Sequence, residues 1–181
     1  PWRPKDVPED VAEFFASRFE LPTGARPRPV QHAVCDVVRG AAEPGLVIVE
    51  APMGEGKTEA ALAAAELLAE KWGAGGVFVA LPTQATSDEM FGRVVDWLDA
   101  MGADGQQIGG AITLGHGKAR FNRLFQGLVH AGRMDVWQDE QDRRGKAQRH
   151  AVVAHGWLSG RKKASLANFM VGTIDQLLFA G

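Results

Sequence analysis

Apolar residues recur along the chain at the spacing of amphipathic helices. In several segments the side chains three and four positions apart are apolar, which indicates helices with one buried face. Pro29 suits the first turn of one such helix, whereas Gly40 and Gly73 directly follow the apolar pattern of two of them and favour helix ends there. The predicted helices span residues 8–19, 29–39, Lys57–Trp72 and 87–101.

Short apolar, β-branched runs bounded by Gly and Pro lie between the helices, and such runs predict buried strands. They are residues 46–50, Val77–Leu81, 111–114 and 169–172. A helix is expected to follow the last run from Thr173 or Ile174. Strands that alternate with helices at this spacing predict βαβ units. We therefore predict an α/β fold, a mostly parallel sheet flanked by helices on both faces, whereas residues 115–163 indicate only helical segments and loops.

The composition is typical of a folded protein of one domain, with 181 residues, 45% of them hydrophobic and 23% charged. No apolar run approaches the roughly 18–20 residues that span a bilayer, and residues 1–10 lack the pattern of a signal peptide. The single cysteine, Cys35, excludes an internal disulfide, and its apolar neighbours predict a buried helical thiol. We expect a cytoplasmic location and no membrane association.

The charged residues are unevenly distributed. Residues 1–115 contain 9 Lys and Arg against 17 Asp and Glu, whereas residues 116–181 contain 11 against 5. Affinity for nucleic acids comes largely from phosphate neutralisation, so the basic last third favours nucleic-acid binding. For Arg161, Lys162 and Lys163, an ordinary solvated basic loop is equally consistent with the sequence.

A phosphate-binding loop is predicted at residues 51–58, which read Ala-Pro-Met-Gly-Glu-Gly-Lys-Thr between an apolar run and an Ala-rich helix. Gly54 and Gly56 allow a backbone that a side chain would block, so that amide groups and the helix N-terminus can surround phosphates. Lys57 would contact the β- and γ-phosphates of ATP, and the Thr58 hydroxyl would bind Mg²⁺. The candidate nucleotide contacts are Gln31, Pro52, Met53, Gly54, Glu55, Gly56, Lys57, Thr58 and Glu59.

Three further segments resemble motifs of superfamily 2 helicases. Residues 28–31 (Arg-Pro-Val-Gln) resemble the Q motif, in which Gln31 would read adenine. Residues 81–87 (Leu-Pro-Thr-Gln-Ala-Thr-Ser) and 171–176 (Val-Gly-Thr-Ile-Asp-Gln) resemble segments that contact the nucleic-acid backbone. Alternatively, Gln31 caps a turn, and Thr83 and Thr173 are ordinary helix N-caps. The candidate nucleic-acid contacts are Pro82, Thr83, Gln84, Thr173, Asp175 and Gln176.

Together with His-Gly-Lys-Ala at 116–119 and Trp-Leu-Ser-Gly-Arg-Lys-Lys at 157–163, these segments resemble the CRISPR-associated helicase–nuclease of type I systems. The resemblance implies that residues 1–28 are a lead-in helix and connector and that residues 29–181 form the first RecA-like lobe. It also implies a second lobe, an HD nuclease domain, single-stranded DNA and an RNA-guided surveillance complex as partners, and ATP-dependent unwinding of target DNA for degradation.

The acidic box that such a motor needs after an apolar strand is missing from the sequence. Asp88-Glu89 lies in a predicted helix, Asp139-Glu140 follows no apolar strand, and no His is followed by Asp. We therefore expect a piece of a longer enzyme, cut before that box and inactive alone. Two alternatives stay open: another superfamily 2 DNA translocase of restriction or repair, and a nucleotide-dependent DNA-binding or adaptor module that does not hydrolyse ATP.

Overall fold

The computed structural model describes residues 2–4, 6–103, 110–116, 118–138, 154 and 167–178. Their helices are α1 (Val11–Arg18), α2 (Pro29–Gly40), α3 (Lys57–Trp72), α4 (Gln84–Ala103), α5 (Arg123–Gln138) and α6 (Ile174–Leu178), with a 3₁₀ helix at Ala119–Phe121. Their strands are β1 (Val77–Leu81), β2 (Ile112–Gly115) and β3 (Phe169–Thr173). The charged stretch 139–149 and the basic run 161–163 lie outside the described residues.

The described strands form one parallel sheet in the order β1-β3-β2. Val77 and Ile112 both pair with Phe169, and Ala80 and Gly115 both pair with Gly172. The strands are therefore in step, and their carboxyl ends share one edge. An Ala side chain at Gly172 would place its Cβ 2.7 Å from the carbonyl oxygen of Gly115, so this edge requires close backbone approach. The predicted α/β fold with a parallel sheet is confirmed.

Residues 46–50 were predicted as a buried strand, and this prediction is wrong for the described structure. They have no strand assignment, and Leu46 and Ile48 are 86% and 76% exposed. Val49 alone among them packs against the cluster formed by α1, α2 and α3. A strand needs a neighbour to pair its backbone groups, and in the described sheet β1 and β2 each pair with β3. Apolar, β-branched composition was therefore not sufficient to make residues 46–50 a strand.

Two apolar clusters fill the interior. The larger one contains residues of α4, α5 and the sheet, with Trp97, Leu98, Phe125, Ile112 and Phe169 among its buried members. The second joins α1, α2 and α3. It includes Cys35, which is fully buried, so the buried thiol is confirmed. Burial raises the pKa of this thiol.

The segment before α2 contributes to both clusters. Trp2 is 1% exposed, and its ring centroid lies 5.0 Å from that of Phe169 and 5.9 Å from that of Trp97. Phe14 and Phe15 of α1 are fully buried in the second cluster. Residues predicted as a lead-in are thus part of the core, while the domain boundary at residue 29 stays a prediction.

Helix α4 begins earlier than predicted because of its N-terminal hydroxyls. The Thr86 amide donates to Thr83 Oγ1 at 3.2 Å, and Ser87 Oγ donates to the Thr83 carbonyl at 2.9 Å. Thr83 thereby satisfies an amide of the first turn, as an N-cap residue does. Every helix in the described part of the chain is too short or too polar to cross a membrane.

Candidate nucleotide-binding site and adjoining strand ends

The phosphate loop lies directly before α3 and has the backbone that its glycines predict. Gly54 has φ 80° and Gly56 has φ 74°, both in the left-handed region that favours glycine. Gly56 is the N-cap of α3, and the first amide groups of a helix have no carbonyl partner within it. A Cβ built on Gly54 would meet no atom within 4 Å. The loop thus leaves open space beside a helix N-terminus, an arrangement that fits phosphate groups.

Gln31 links this loop to α2. Its Nε2 donates to the Gly56 carbonyl at 3.2 Å, and its Oε1 accepts the Arg28 amide at 2.8 Å. The side chain is 5% exposed. A Cβ on Gly56 would overlap Gln31 Nε2. Gln31 therefore caps α2, which is the simpler of its two predicted roles, and also holds the loop; its contact with adenine stays a prediction.

Lys57 stands at the mouth of the loop. Its Nζ donates to the carbonyl oxygen of Pro52 at 2.7 Å and to that of Ala51, and the side chain is exposed. The ammonium group is therefore held on the loop by exposed carbonyl groups, which water can equally well solvate. It is available to an anion that approaches the loop.

The other predicted nucleotide contacts surround this mouth. Met53 is 96% exposed and Pro52 is exposed, whereas Thr58 is half-buried in the first turn of α3. Glu55 accepts from Arg28 Nη1 at 3.3 Å, and Glu59 forms an ion pair with Arg93 of α4. Among the described residues no group of three or more His, Cys, Asp and Glu side chains could hold a metal ion. The contact of the Thr58 hydroxyl with Mg²⁺ stays a prediction.

The predicted nucleic-acid contacts fall at the carboxyl edge of the sheet, but they differ in exposure. Residues 82–86, which follow β1, are all exposed. Thr173 is 8% exposed at the end of β3, while Asp175 is exposed and Gln176 half-buried. The register brings the ends of β1 and β3 together. Because residues 46–50 do not join the sheet, the placement of the phosphate loop at that same edge stays a prediction.

Sequence reasoning missed the side chains that hold these segments in place. Asp88 accepts from Asn122 Nδ2 at 2.8 Å and lies 3.2 Å from His116 Nε2. Arg28 forms an ion pair with Glu55, and Arg93 forms one with Glu59. Each contact joins residues more than 25 positions apart in the sequence, and no local pattern links such residues. Asp88, Glu55 and Glu59 were named from the sequence for other reasons, but their partners could not be predicted.

No family model matches the chain. It is 37% identical over 177 residues to the CRISPR-associated nuclease/helicase Cas3 of Streptococcus thermophilus, covering 98% of the chain and 18% of that protein. It is 42% identical over 154 residues to the CRISPR-associated endonuclease/helicase Cas3 of Thermus thermophilus, covering 84% of the chain and 16% of that protein. The chain thus spans about a sixth of the length of these curated relatives.

Solved structures give the same result. The chain resembles the crystal structure of T. fusca Cas3 with a TM-score of 0.65 and 33% sequence identity, over 97% of the chain and 16% of that protein. The structure described as T. fusca Cas3-ATP matches with a TM-score of 0.63 and 32% identity, over 96% and 16%. The chain is therefore similar to these structures in sequence and has the same α/β fold over the matched segment.

Proposed function

We propose that the chain, which is 37% and 42% identical to Cas3 nuclease/helicases of two organisms over most of its length, is the first RecA-like, ATP- and single-stranded-DNA-binding lobe of an ATP-dependent DNA helicase of that family. The observation that carries the proposal is the phosphate loop. In this loop Gly54 and Gly56 have a positive φ, and there is open space beside Gly54. Lys57 is exposed at the N-terminus of α3.

The residues of this loop divide the binding of a nucleotide among them. The amide groups that begin α3 donate to phosphate oxygens, and the helix dipole favours their negative charge. Lys57 exchanges its carbonyl partners for the terminal phosphates. Thr58 offers its hydroxyl to Mg²⁺, which when bound with ATP neutralises charge on the phosphates. Solved structures of T. fusca Cas3 are described with ATP, ADP and AMPPNP, which supports a nucleotide as the ligand.

Single-stranded DNA is proposed to bind along the carboxyl edge of the sheet. In open parallel sheets, ligands bind beyond the carboxyl ends of the strands. Here residues 82–86 present an exposed segment with the hydroxyls of Thr83 and Thr86, and hydroxyl groups are common partners of the sugar–phosphate backbone. Asp175 and Gln176 follow β3 at the same edge. Thr173 is largely buried, so its contribution is proposed to come through its backbone.

The activity of a whole protein of this family needs parts that we propose to lie in other segments of its chain. These are the acidic box that positions the attacking water, a second RecA-like lobe and an HD nuclease domain. The proposed partner is the RNA-guided surveillance complex of a type I system, and the proposed outcome is unwinding and degradation of target DNA. ATPase measurements on the longer natural protein, with and without single-stranded DNA, distinguish this motor from an adaptor that does not hydrolyse ATP.

Replacement of Lys57 tests the nucleotide site. We expect Lys57→Ala to weaken ATP–Mg²⁺ binding at least about tenfold, because a charge-assisted hydrogen bond contributes about 1.5–3 kcal/mol. The melting temperature without nucleotide should hardly change, since the Nζ bonds lie on an exposed surface. Calorimetric titration and thermal unfolding measure the two quantities.

Lys71, in the last turn of the same helix, provides the matched control. Its Nζ donates to the carbonyl groups of Val38 and Arg39 at the end of α2. Lys71→Ala removes an exposed ammonium group from the same helix but far from the loop, so it should leave nucleotide affinity unchanged, in contrast to Lys57→Ala. If Lys57→Ala instead lowered the melting temperature and kept the affinity, the loop would be structural and the proposed function would be wrong.

A further inference from the structure

Asp88, His116 and Asn122 meet at the carboxyl end of β2. Asp88 lies in the second turn of α4, His116 directly follows β2, and Asn122 directly precedes α5. Asp88 Oδ1 lies 3.2 Å from His116 Nε2 and 2.8 Å from Asn122 Nδ2. The His116 side chain has no exposed surface, whereas that of Asp88 is 40% exposed. A buried imidazole is thus held against a half-exposed carboxylate.

The hydrogen bonds determine which ring nitrogen of His116 carries the proton. The Lys118 amide donates to Nδ1 at 3.2 Å, so Nδ1 is the acceptor and the ring N–H is at Nε2, where it donates to Asp88. Both ends of the Asn122 amide are also hydrogen-bonded. Its Nδ2 donates to Asp88, and its Oδ1 accepts the Phe125 amide at 2.9 Å and so caps α5. Each side chain therefore has a defined orientation, and the backbone at Lys118 is fixed relative to α4.

The sheet register places this segment beside the proposed DNA edge. Gly115 pairs with Gly172, and one position further along the sheet Thr173 pairs with Leu81. His116 and Lys118 thus leave the sheet at the edge from which residues 82–86 leave it. Asp88 directly continues the helix that those residues begin. Lys118 and residues 82–86 are all exposed. The Lys118 side chain and the residues that include Thr83 and Thr86 therefore lie at the same edge of the sheet.

We propose that Lys118 contacts a phosphate of single-stranded DNA at this edge and that Asp88, His116 and Asn122 are positioning residues that hold it there. The inference rests on the proposed function and extends it to residues that were not among the predicted nucleic-acid contacts. A cap for α5 alone would require Asn122 and nothing more. The additional bonds between His116 and Asp88 and from the Lys118 amide to His116 hold the backbone that carries the exposed Lys118 side chain against α4, the helix that begins beside Thr83.

Lys118→Ala tests the contact itself. One phosphate contact contributes about 0.7 to the slope of log affinity against log salt for single strands, which is about fivefold between roughly 0.1 and 1 M salt. We expect that slope to fall by about 0.7 and the affinity for an oligothymidine at low salt to fall about fivefold. Fluorescence anisotropy across a salt series, on the chain and on the longer natural protein, measures both.

Arg3→Ala is the matched control for the loss of one positive charge. Arg3 is exposed and follows Trp2, whose ring packs on Phe169 at the amino end of β3. It therefore lies toward the opposite edge of the sheet. Arg3→Ala should leave the salt slope as it is. An equal reduction by Arg3→Ala and Lys118→Ala would mean a general electrostatic effect and would overturn the proposed contact.

The positioning role is tested at His116. We expect His116→Leu, which keeps bulk but removes both bonds, to weaken DNA binding as much as Lys118→Ala, and the double variant to bind no worse than either. His116→Gln should restore most of the affinity, because an amide can accept from the Lys118 backbone and donate to Asp88. Melting temperatures identify a variant that fails to fold, and in that case His116→Gln and Lys118→Ala still decide the question.

The outcomes separate the two proposals. If the unaltered protein did not bind single-stranded DNA at any salt concentration, the proposed function would fail and this inference with it. If it bound DNA and Lys118→Ala changed neither affinity nor slope, only the inference would be wrong. Additive losses from His116→Leu and Lys118→Ala would show that His116 does not act through Lys118.

Discussion

Glu66 lies in the middle of α3 without exposed surface, yet it is an acid. Arg18 Nε of α1 donates to both of its carboxylate oxygens, at 3.0 and 3.2 Å, and Trp97 Nε1 of α4 donates at 3.2 Å. Burial raises the pKa of Glu66, and the Arg18 charge opposes this. The cluster joins α1 and α4 to the helix that begins at the phosphate loop. Residues before the predicted lobe therefore help to hold its central helix.

Arg18→Met should destabilise the fold by about 3–5 kcal/mol near neutral pH, because it leaves a buried carboxylate without its cation. The loss of Arg18 raises the pKa of Glu66 further. A group whose pKa is higher in the folded state than in the unfolded state favours folding below its ordinary pKa, and this advantage is lost as pH rises through the folded value. The cost of Arg18→Met should therefore shrink as the pH falls into the acidic range. Urea unfolding at two pH values measures it.

The double variant Arg18→Met, Glu66→Gln is the control for this effect. It contains no buried charge at the site, so its stability relative to the unaltered chain should recover part of the loss and should not share the pH dependence of the single variant. An Arg18→Met cost that is the same at neutral and acidic pH would contradict the assignment of the effect to Glu66.

At the scale of elements, the phosphate loop and α2 are joined by the side chain of Gln31. Gly54 and Gly56 both have a positive φ. A Cβ on Gly56 would also overlap the Gln31 amide, whereas a Cβ on Gly54 would meet no atom within 4 Å. Gln31 connects the two because it caps α2 with Oε1 and binds the loop with Nε2. A change in the loop should therefore be transmitted to the helix before it.

Gly54→Ala and Gly56→Ala form a matched pair that separates the two causes. Each places an L side chain in the left-handed region, at about 1–2 kcal/mol. Gly56→Ala must also displace Gln31, so it should lower the melting temperature more and reduce nucleotide affinity more. Thermal unfolding and calorimetric titration measure both. Equal effects of the two substitutions would show that the Gln31 contact does not restrain the loop.

Residues 46–50 show how an element depends on its neighbours. They lie without strand pairing in the described structure, in contrast to β3, which is paired on both sides and fully buried. Amide exchange should therefore be fast across 46–50 and slow across β3, with opening of β3 approaching the free energy of global unfolding. Hydrogen–deuterium exchange on the 181-residue chain measures this contrast. Equal protection of the two segments would mean that 46–50 is paired in solution.

At the scale of the whole molecule, the phosphate loop and the proposed DNA edge are joined through helices rather than through the sheet. Helix α3 carries the loop at its N-terminus, and Glu59 at its start pairs with Arg93 of α4. The N-terminus of α4 carries the exposed hydroxyl segment, and α4 packs on β3. This path is a contiguous set of contacts, which is a condition for coupling between sites and not a demonstration of it.

The 181-residue chain should bind ATP–Mg²⁺ weakly and hydrolyse it negligibly. The Asp88-Glu89 pair lies inside α4 rather than at the end of a strand, so it does not have the position of the acidic box that such a motor needs. An arginine finger, which such motors take from a second lobe, is by itself worth about 10³–10⁵ in rate. Phosphate release, measured with and without single-stranded DNA, checks this. Robust DNA-stimulated turnover by the chain alone would contradict it.

The sequence by itself determined the local elements and the chemistry of the loop. The bounds of α2 and α3 follow from Pro29, Gly40 and Gly73, and the two glycines of the loop adopt the backbone that their position predicts. These features depend on residues within a few positions of one another, so periodicity and capping specify them. The parallel sheet followed from the alternation of strands and helices, because a helix between two strands of one sheet returns the chain so that the strands run parallel.

Only the tertiary structure decided which distant residues meet. Arg18 and Glu66 are 48 positions apart, and Asp88 and His116 are 28 apart, so their pairing depends on how α1, α4 and β2 pack. The same holds for residues 46–50: their composition favours a strand, but a strand forms only where another backbone supplies hydrogen-bond partners. A local pattern specifies which conformation a segment prefers, whereas burial and backbone pairing depend on what folds against it.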